Sequence, residues 1–285
     1  MFIMDYEKSK SFGASSYPPS YMSDHQEAPA YQNPRFNYAA TDSSTLVPAT
    51  ARFPPTFSCY GQWKWKQLYT LGPSSDEKLF AVSFDTKLFS KKQSLFLHGG
   101  SSDKAPIIAT TSRKAHGWHD RATITLHRDN GDDQEIQFER PENTSWTKSE
   151  VRAFRIEVRK GVVEEFQWRT SHGDEIKELA GHSYGWKLVH MGRPQHGGGG
   201  GGKQSFGYTS DGHEVVAVLA HNMSWSMTKG YNFGFLGTGL TGIWGAEWET
   251  AAVISGFWLW HLALTKAGAN SSSAAAGASA AAAAC

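Results

Sequence analysis

Residues 181–185, Gly181-His182-Ser183-Tyr184-Gly185, spell G-x-S-x-G, the pattern in which an α/β-hydrolase presents a nucleophilic serine on a strained turn between a buried strand and a helix. His98-Gly99-Gly100 upstream resembles part of an oxyanion-hole sequence, and Asp211 and His221 follow in the chain order of a triad. The flanks do not suit that chemistry. The preceding DEIKELA is charged where a buried parallel strand is needed, and the following WKLVH keeps strand alternation where the elbow needs a helix. A glycine-rich turn into a strand is the better reading, with a serine hydrolase using Ser183 kept as the alternative.

Two further patterns carry chemistry on paper. Gly237-Thr238-Gly239-Leu240-Thr241-Gly242 is a G-x-G-x-x-G, whose glycines would let a pyrophosphate approach a helix N-terminus. No acidic residue follows Glu249 to hold a ribose, so a glycine-rich bend leading into a helix is expected instead. The 12 histidines include His116-x-x-His119 and the run Ser171-His172-Gly173-Asp174, but none has structural-zinc spacing and H-E-x-x-H is absent. No catalytic residue, metal or cofactor is therefore expected.

What remains is cations beside aromatics. Trp63-Lys64-Trp65-Lys66 interleaves two indoles with two ammonium groups, Lys87, Lys91 and Lys92 cluster downstream, and Arg152, Arg155 and Arg159 lie along one short segment. Trp beside Lys suits a bilayer interface, and each cation near an anionic leaflet contributes roughly 1 kcal/mol. Lys64, Lys66, Lys91, Lys92, Arg152 and Arg155 are the candidate lipid-headgroup residues. Glu157, Glu164 and Glu165 lie close by, which equally suits a solvated strand face. A protein partner is the other reading of such a surface. Nucleic acid is not expected, because the net charge is +1 and no RNP-type motif is present.

These residues must be positioned by a fold that the sequence announces through period 2. Ile136 and Phe138 alternate with Glu135, Gln137 and Glu139; Phe154, Ile156 and Val158 oppose Arg155, Glu157 and Arg159; Phe166 and Trp168 alternate with Glu165, Gln167 and Arg169. Such alternation marks antiparallel strands with one wet face. Residues 78–84, 94–98, 122–127, 214–220 and 231–237 read as further strands, and turn clusters such as RDNGDD separate them. Nine or more short strands argue for a barrel or sandwich. Residues 250–265, TAAVISGFWLWHLALT, carry no charge; they are short for a membrane span and are expected as a helix buried inside protein.

The folded unit is expected over residues 61–267. The first 60 residues hold 7 of the 11 prolines and no Trp, and read as a disordered tail. Residues 192–212, with six consecutive glycines, read as a flexible loop, and residues 268–285 as a Ser/Ala low-complexity tail. Two cysteines exclude a disulfide framework, and the polar start does not suit a signal peptide, so a cytoplasmic setting, peripheral at most to a membrane, is expected.

Residues 166–176 (FQWRTSHGDEI), 183–189 (SYGWKLV), 211–230 (DGHEVVAVLAHNMSWSMTKG) and 233–249 (FGFLGTGLTGIWGAEWE), followed directly by the apolar helix, resemble the tubby C-terminal-like superfamily, which includes phospholipid scramblases and LURP-one-related proteins. More narrowly, they look like an uncharacterised group of filamentous-fungal members of that superfamily. The resemblance covers residues 61–264 and implies a closed antiparallel β-barrel around a central hydrophobic helix. Tubby proteins bind phosphoinositides through a basic motif that has no counterpart here, so no site carries over. The expectation is a mostly β, non-enzymatic binding or scaffold protein.

Overall fold

The computed structural model describes residues 51–63, 67–85, 92–114, 121–142, 150–180, 184–194, 206–221 and 229–282, all within one compact unit, Asn33–Cys285. Twelve strands run in the order β1 (Thr56–Trp63), β2 (Gln67–Gly72), β3 (Phe80–Phe84), β4 (Lys92–His98), β5 (Ile107–Lys114), β6 (Ala122–Leu126), β7 (Gln134–Phe138), β8 (Val151–Arg159), β9 (Val162–Ser171), β10 (Gly185–His190), β11 (Val215–His221) and β12 (Lys229–Phe235). A short helix α1 (Asp174–Ala180) lies between β9 and β10, and a long helix α2 (Gly245–Ala282) follows β12.

All twelve strands form one antiparallel sheet, ordered β7-β6-β5-β4-β3-β2-β1-β12-β11-β10-β9-β8. Among the described residues its two outer strands meet through a single residue pair: Glu139 N–H donates to Ala153 O at 3.1 Å and Ala153 N–H to Glu139 O at 2.7 Å. The sheet is thus nearly closed into a barrel, one of the two architectures that the strand pattern leaves open. Because neighbours are antiparallel, connections alternate between two ends. We call the end where β12 hands over to α2 the entry end, and the opposite one the exit end.

The helix fills the barrel. Every residue from Trp248 to Leu262 is buried, a length of about 22 Å at the rise of an α-helix. No apolar stripe is needed, because the helix meets protein on every side. Phe257 and Trp260 stack edge-on against Tyr69 of β2 at 5.5 and 5.2 Å. Midway, Trp168 Nε1 of β9 donates to Ser255 Oγ at 2.9 Å, which satisfies two polar atoms inside an apolar core. Gly256 allows the approach: a Cβ there would sit 3.2 Å from Leu219 and Trp168 and 3.3 Å from Phe233. Among the described residues no helix is long and apolar enough to cross a membrane.

Several boundaries differ from the sequence expectation. The barrel begins before residue 61: β1 starts at Thr56, and Phe53, Phe57 and Cys59 are buried. The inward stripe there is aromatic and sulfur-bearing, so a scarcity of aliphatic residues did not reveal it. Residues 1–50 lie outside the described residues. The central helix starts at Gly245 and its backbone continues through the Ser/Ala tract to Ala282, because alanine favours helix without needing a partner. Within residues 192–212, Tyr208 bridges Glu214, while residues 195–205 lie outside the described residues. β11 is buried on both faces, since Ile176 of α1, Leu236 and the partly buried Phe206 cover the outward Val215, Val218 and Ala220.

Candidate functional site

The exit end gathers the connections β1–β2, β3–β4 and β5–β6, which are consecutive around the barrel. Lys64, Lys66 and Lys91 lie outside the described residues; by sequence, Lys64 and Lys66 stand between Trp63 and Gln67, which pair with each other. Lys92 opens β4 and is the direct cross-strand partner of Lys114 on β5, and the next pair is Gln93 with Arg113. Like charges placed opposite one another on a sheet are destabilising by some tenths of a kcal/mol. The sequence reading missed Arg113 and Lys114; only the β4–β5 register brings them to the lysines.

The two arginines do not join this rim as a pair. Arg152 shares the inward parity of Phe154 and Ile156 on β8 and is buried. Its Nη2 donates to Glu150 Oε1 at 3.3 Å, and the same oxygen accepts from Lys266 Nζ on the emerging helix at 3.2 Å. This arrangement ties the helix exit to the start of β8. Arg155 points outward, with a side chain 74% exposed, and its Nη2 lies 2.7 Å from Glu165 Oε2. Glu165 is held below the usual carboxylate range: its burial opposes this, but hydrogen bonds from Gln167 and Arg155 outweigh it.

Four carboxylates sit where α2 enters the barrel. Arg128 grips Glu247 with Nε at 2.6 Å and Nη2 at 2.8 Å. Glu249 Oε2 accepts from the backbone N–H groups of Arg52 at 2.8 Å and Phe53 at 3.3 Å; burial pushes its carboxyl up even so. Glu214 accepts from Thr238 N–H at 2.7 Å and Thr238 Oγ1 at 2.9 Å. The amide that a nucleotide phosphate would need at the G-x-G-x-x-G is therefore taken by a protein carboxylate. Residues 237–240 form a 3₁₀ turn there. Gly239 is required by close approach, since a Cβ would lie 2.1 Å from Val216 O. Glu164 Oε2, the fourth, meets His190 Nε2 at 2.9 Å, under Trp244, whose ring is 4.7 Å from the imidazole.

The hydrolase constellation does not come together among the described residues. Asp211 is paired with Arg169 at 2.9 Å on the outer face of β9. Burial opposes ionisation of Asp211, but hydrogen bonds from Thr209 and Arg169 hold it down at about 2. His221 lies instead against Trp186 at 4.6 Å, and Trp186 belongs to the barrel interior. Ser183 lies outside the described residues. Gly99 N–H is spent on Pro106 O at 2.8 Å, so the His-Gly-Gly sequence closes a hairpin. The same holds for metal: His116 and His119 lie outside the described residues, and no group of three potential ligands occurs among the described ones. No protein-family model, curated protein or solved structure matches this chain.

Proposed function

We propose that this is a non-enzymatic binding barrel of the tubby-like type whose exit rim docks on an anionic surface, with phospholipid headgroups as the ligand class. The observation that supports it is Lys92 placed directly opposite Lys114, beside the Gln93–Arg113 pair. Cations that the strand register brings onto neighbouring positions concentrate positive potential where an anionic headgroup would be met. Lys64, Lys66 and Lys91 add charge to the neighbouring connections by sequence. At the entry end Asp76, Glu77, Asp103, Asp129, Asp132 and Asp133 outnumber Lys78, Lys104 and Arg128 in consecutive hairpin connections, which favours turning the exit rim toward a negative surface. The protein would then sit peripherally at a cytoplasmic leaflet.

The test is co-sedimentation of the full chain with phosphatidylserine vesicles, with and without phosphoinositide, at low and high salt. Salt-sensitive pelleting is expected. Lys92→Gln with Lys114→Gln should weaken it about thirtyfold, from roughly 1 kcal/mol per cation, while the melting temperature holds or rises. No pelleting at low salt would remove the lipid reading and leave a protein-interaction scaffold.

A further inference from the structure

On the outer face at the entry end, two neighbouring hairpins repeat one arrangement. His98, the last residue of β4, takes Ser83 Oγ of β3 at Nε2 (2.8 Å) and faces Ala105 O with Nδ1 (2.9 Å). His127, just after β6, takes Thr110 Oγ1 of β5 at Nε2 (2.8 Å) and faces Asp133 Oδ2 with Nδ1 (2.7 Å). A carbonyl or carboxylate oxygen only accepts, so Nδ1 carries a proton in both rings, and in the neutral imidazole Nε2 offers its lone pair to the hydroxyl. Asp133 is ionised at neutral pH, because the His127 hydrogen bond holds its carboxyl below the usual range.

The two copies differ in access and in the third member. His98 is 3% exposed and is oriented by a neutral carbonyl. The side chains of His127 and Asp133 are 33% and 40% exposed, and there the third member is a charged carboxylate. A hydroxyl bonded to an imidazole that is itself oriented by a carboxylate is the geometry of an activated nucleophile, recognised by roles and not by position in the chain.

We propose that Thr110 is an acyl-accepting hydroxyl, with His127 as its general base and Asp133 as the positioning residue, toward activated acyl donors such as thioesters or acyl phosphates. Thr110 Oγ1 attacks the acyl carbon and forms the ester C–O bond. The bond to the leaving group breaks with its electron pair, and the Oγ1 proton passes to His127 Nε2 and on to the leaving group. Arg128, next to His127 along the chain, is committed to Glu247, and the product that is counted is the stoichiometric ester on Thr110. This site stands at the opposite end from the lysine rim and does not rest on the docking proposal.

The test exposes the full chain to p-nitrophenyl acetate and maps hydroxylamine-labile acetyl esters by peptide mass spectrometry. One ester at Thr110 is expected, absent in Thr110→Val, with Ser83 unmodified as the internal control. His127→Gln should slow its formation about a hundredfold or more, the usual contribution of a general base. Asp133→Asn should slow it as well, and Asp133→Glu should restore part of the rate, which a purely structural carboxylate would not do. No ester at Thr110, equal esters at Thr110 and Ser83, or an unchanged rate in both His127→Gln and Asp133→Asn would each overturn the assignment.

Discussion

His261 allows the buried helix to be tested by pH alone. It is 5% exposed, just inside the exit mouth of the barrel, where the helix leaves the core after Leu262. Its ring lies 4.5 Å from that of Phe84. Gln93 Nε2, which can only donate, stands 3.1 Å from His261 Nε2; the ring proton is therefore on Nδ1, which has no hydrogen-bond partner among the described residues. Burial lowers the pKa of His261 from 6.5 to about 4. The folded state thus resists a proton that the unfolded chain accepts. Stability is intact above the unfolded value, falls as pH drops below it, and levels off below the folded value. At about 1.4 kcal/mol per pH unit the full loss is about 3 kcal/mol, of which about 2 kcal/mol is gone by about pH 5. Urea denaturation of wild type and His261→Leu between neutral pH and the edge of acid unfolding measures it. The leucine variant should lack this component, so that the difference between the two stabilities moves by about 2 kcal/mol over that interval. The comparison also subtracts the other titrating groups, among them Glu249, whose raised pKa acts in the opposite sense. Parallel pH profiles for the two proteins would refute the buried neutral imidazole.

The segment before β1 is expected to be indispensable. A fragment starting at Gly61 loses Phe53 and Phe57, each worth about 3–5 kcal/mol in a core, and leaves the buried Glu249 without its two amide donors. It should give no cooperative thermal transition by circular dichroism, whereas a fragment starting at Ala51 should melt like the full chain; equal melts would show that the strap is dispensable. Ser183 is expected to be inert. A fluorophosphonate probe should leave it unlabelled in the folded protein, and labelling lost in Ser183→Ala would replace the binding-barrel reading with a hydrolase.

What the sequence made legible follows from the range of each interaction. Phe154, Ile156 and Val158 announce their strand because inward and outward residues alternate within a few positions, and residues 250–265 announce a buried helix because no charge interrupts them. Residues 51–60 did not read as barrel, since Phe53, Phe57 and Cys59 count as core only once Phe80 and Phe233 stand beside them, at 4.4 Å from Phe53 and 4.9 Å from Phe57. Arg152 and Arg155 were grouped by proximity in sequence, yet three positions along a strand change the face, so one ties the helix exit and the other meets water.

The two candidate sites are illegible for a stricter reason. Lys92 and Lys114 are separated by the whole β4–β5 hairpin, and their opposition depends on a register that includes a shift between Leu97 and His98. One residue of slip would place the lysines off each other and turn every side chain of the strand to the other face. Thr110, His127 and Asp133 likewise meet only because His127 falls one residue past the end of β6, where the turn that carries Asp133 folds back. A motif search looks along the chain for chemistry that antiparallel strands assemble across it. In a barrel of this kind the informative unit is therefore the cross-strand pair, and Lys92 with Lys114 is one that no run of consecutive residues displays.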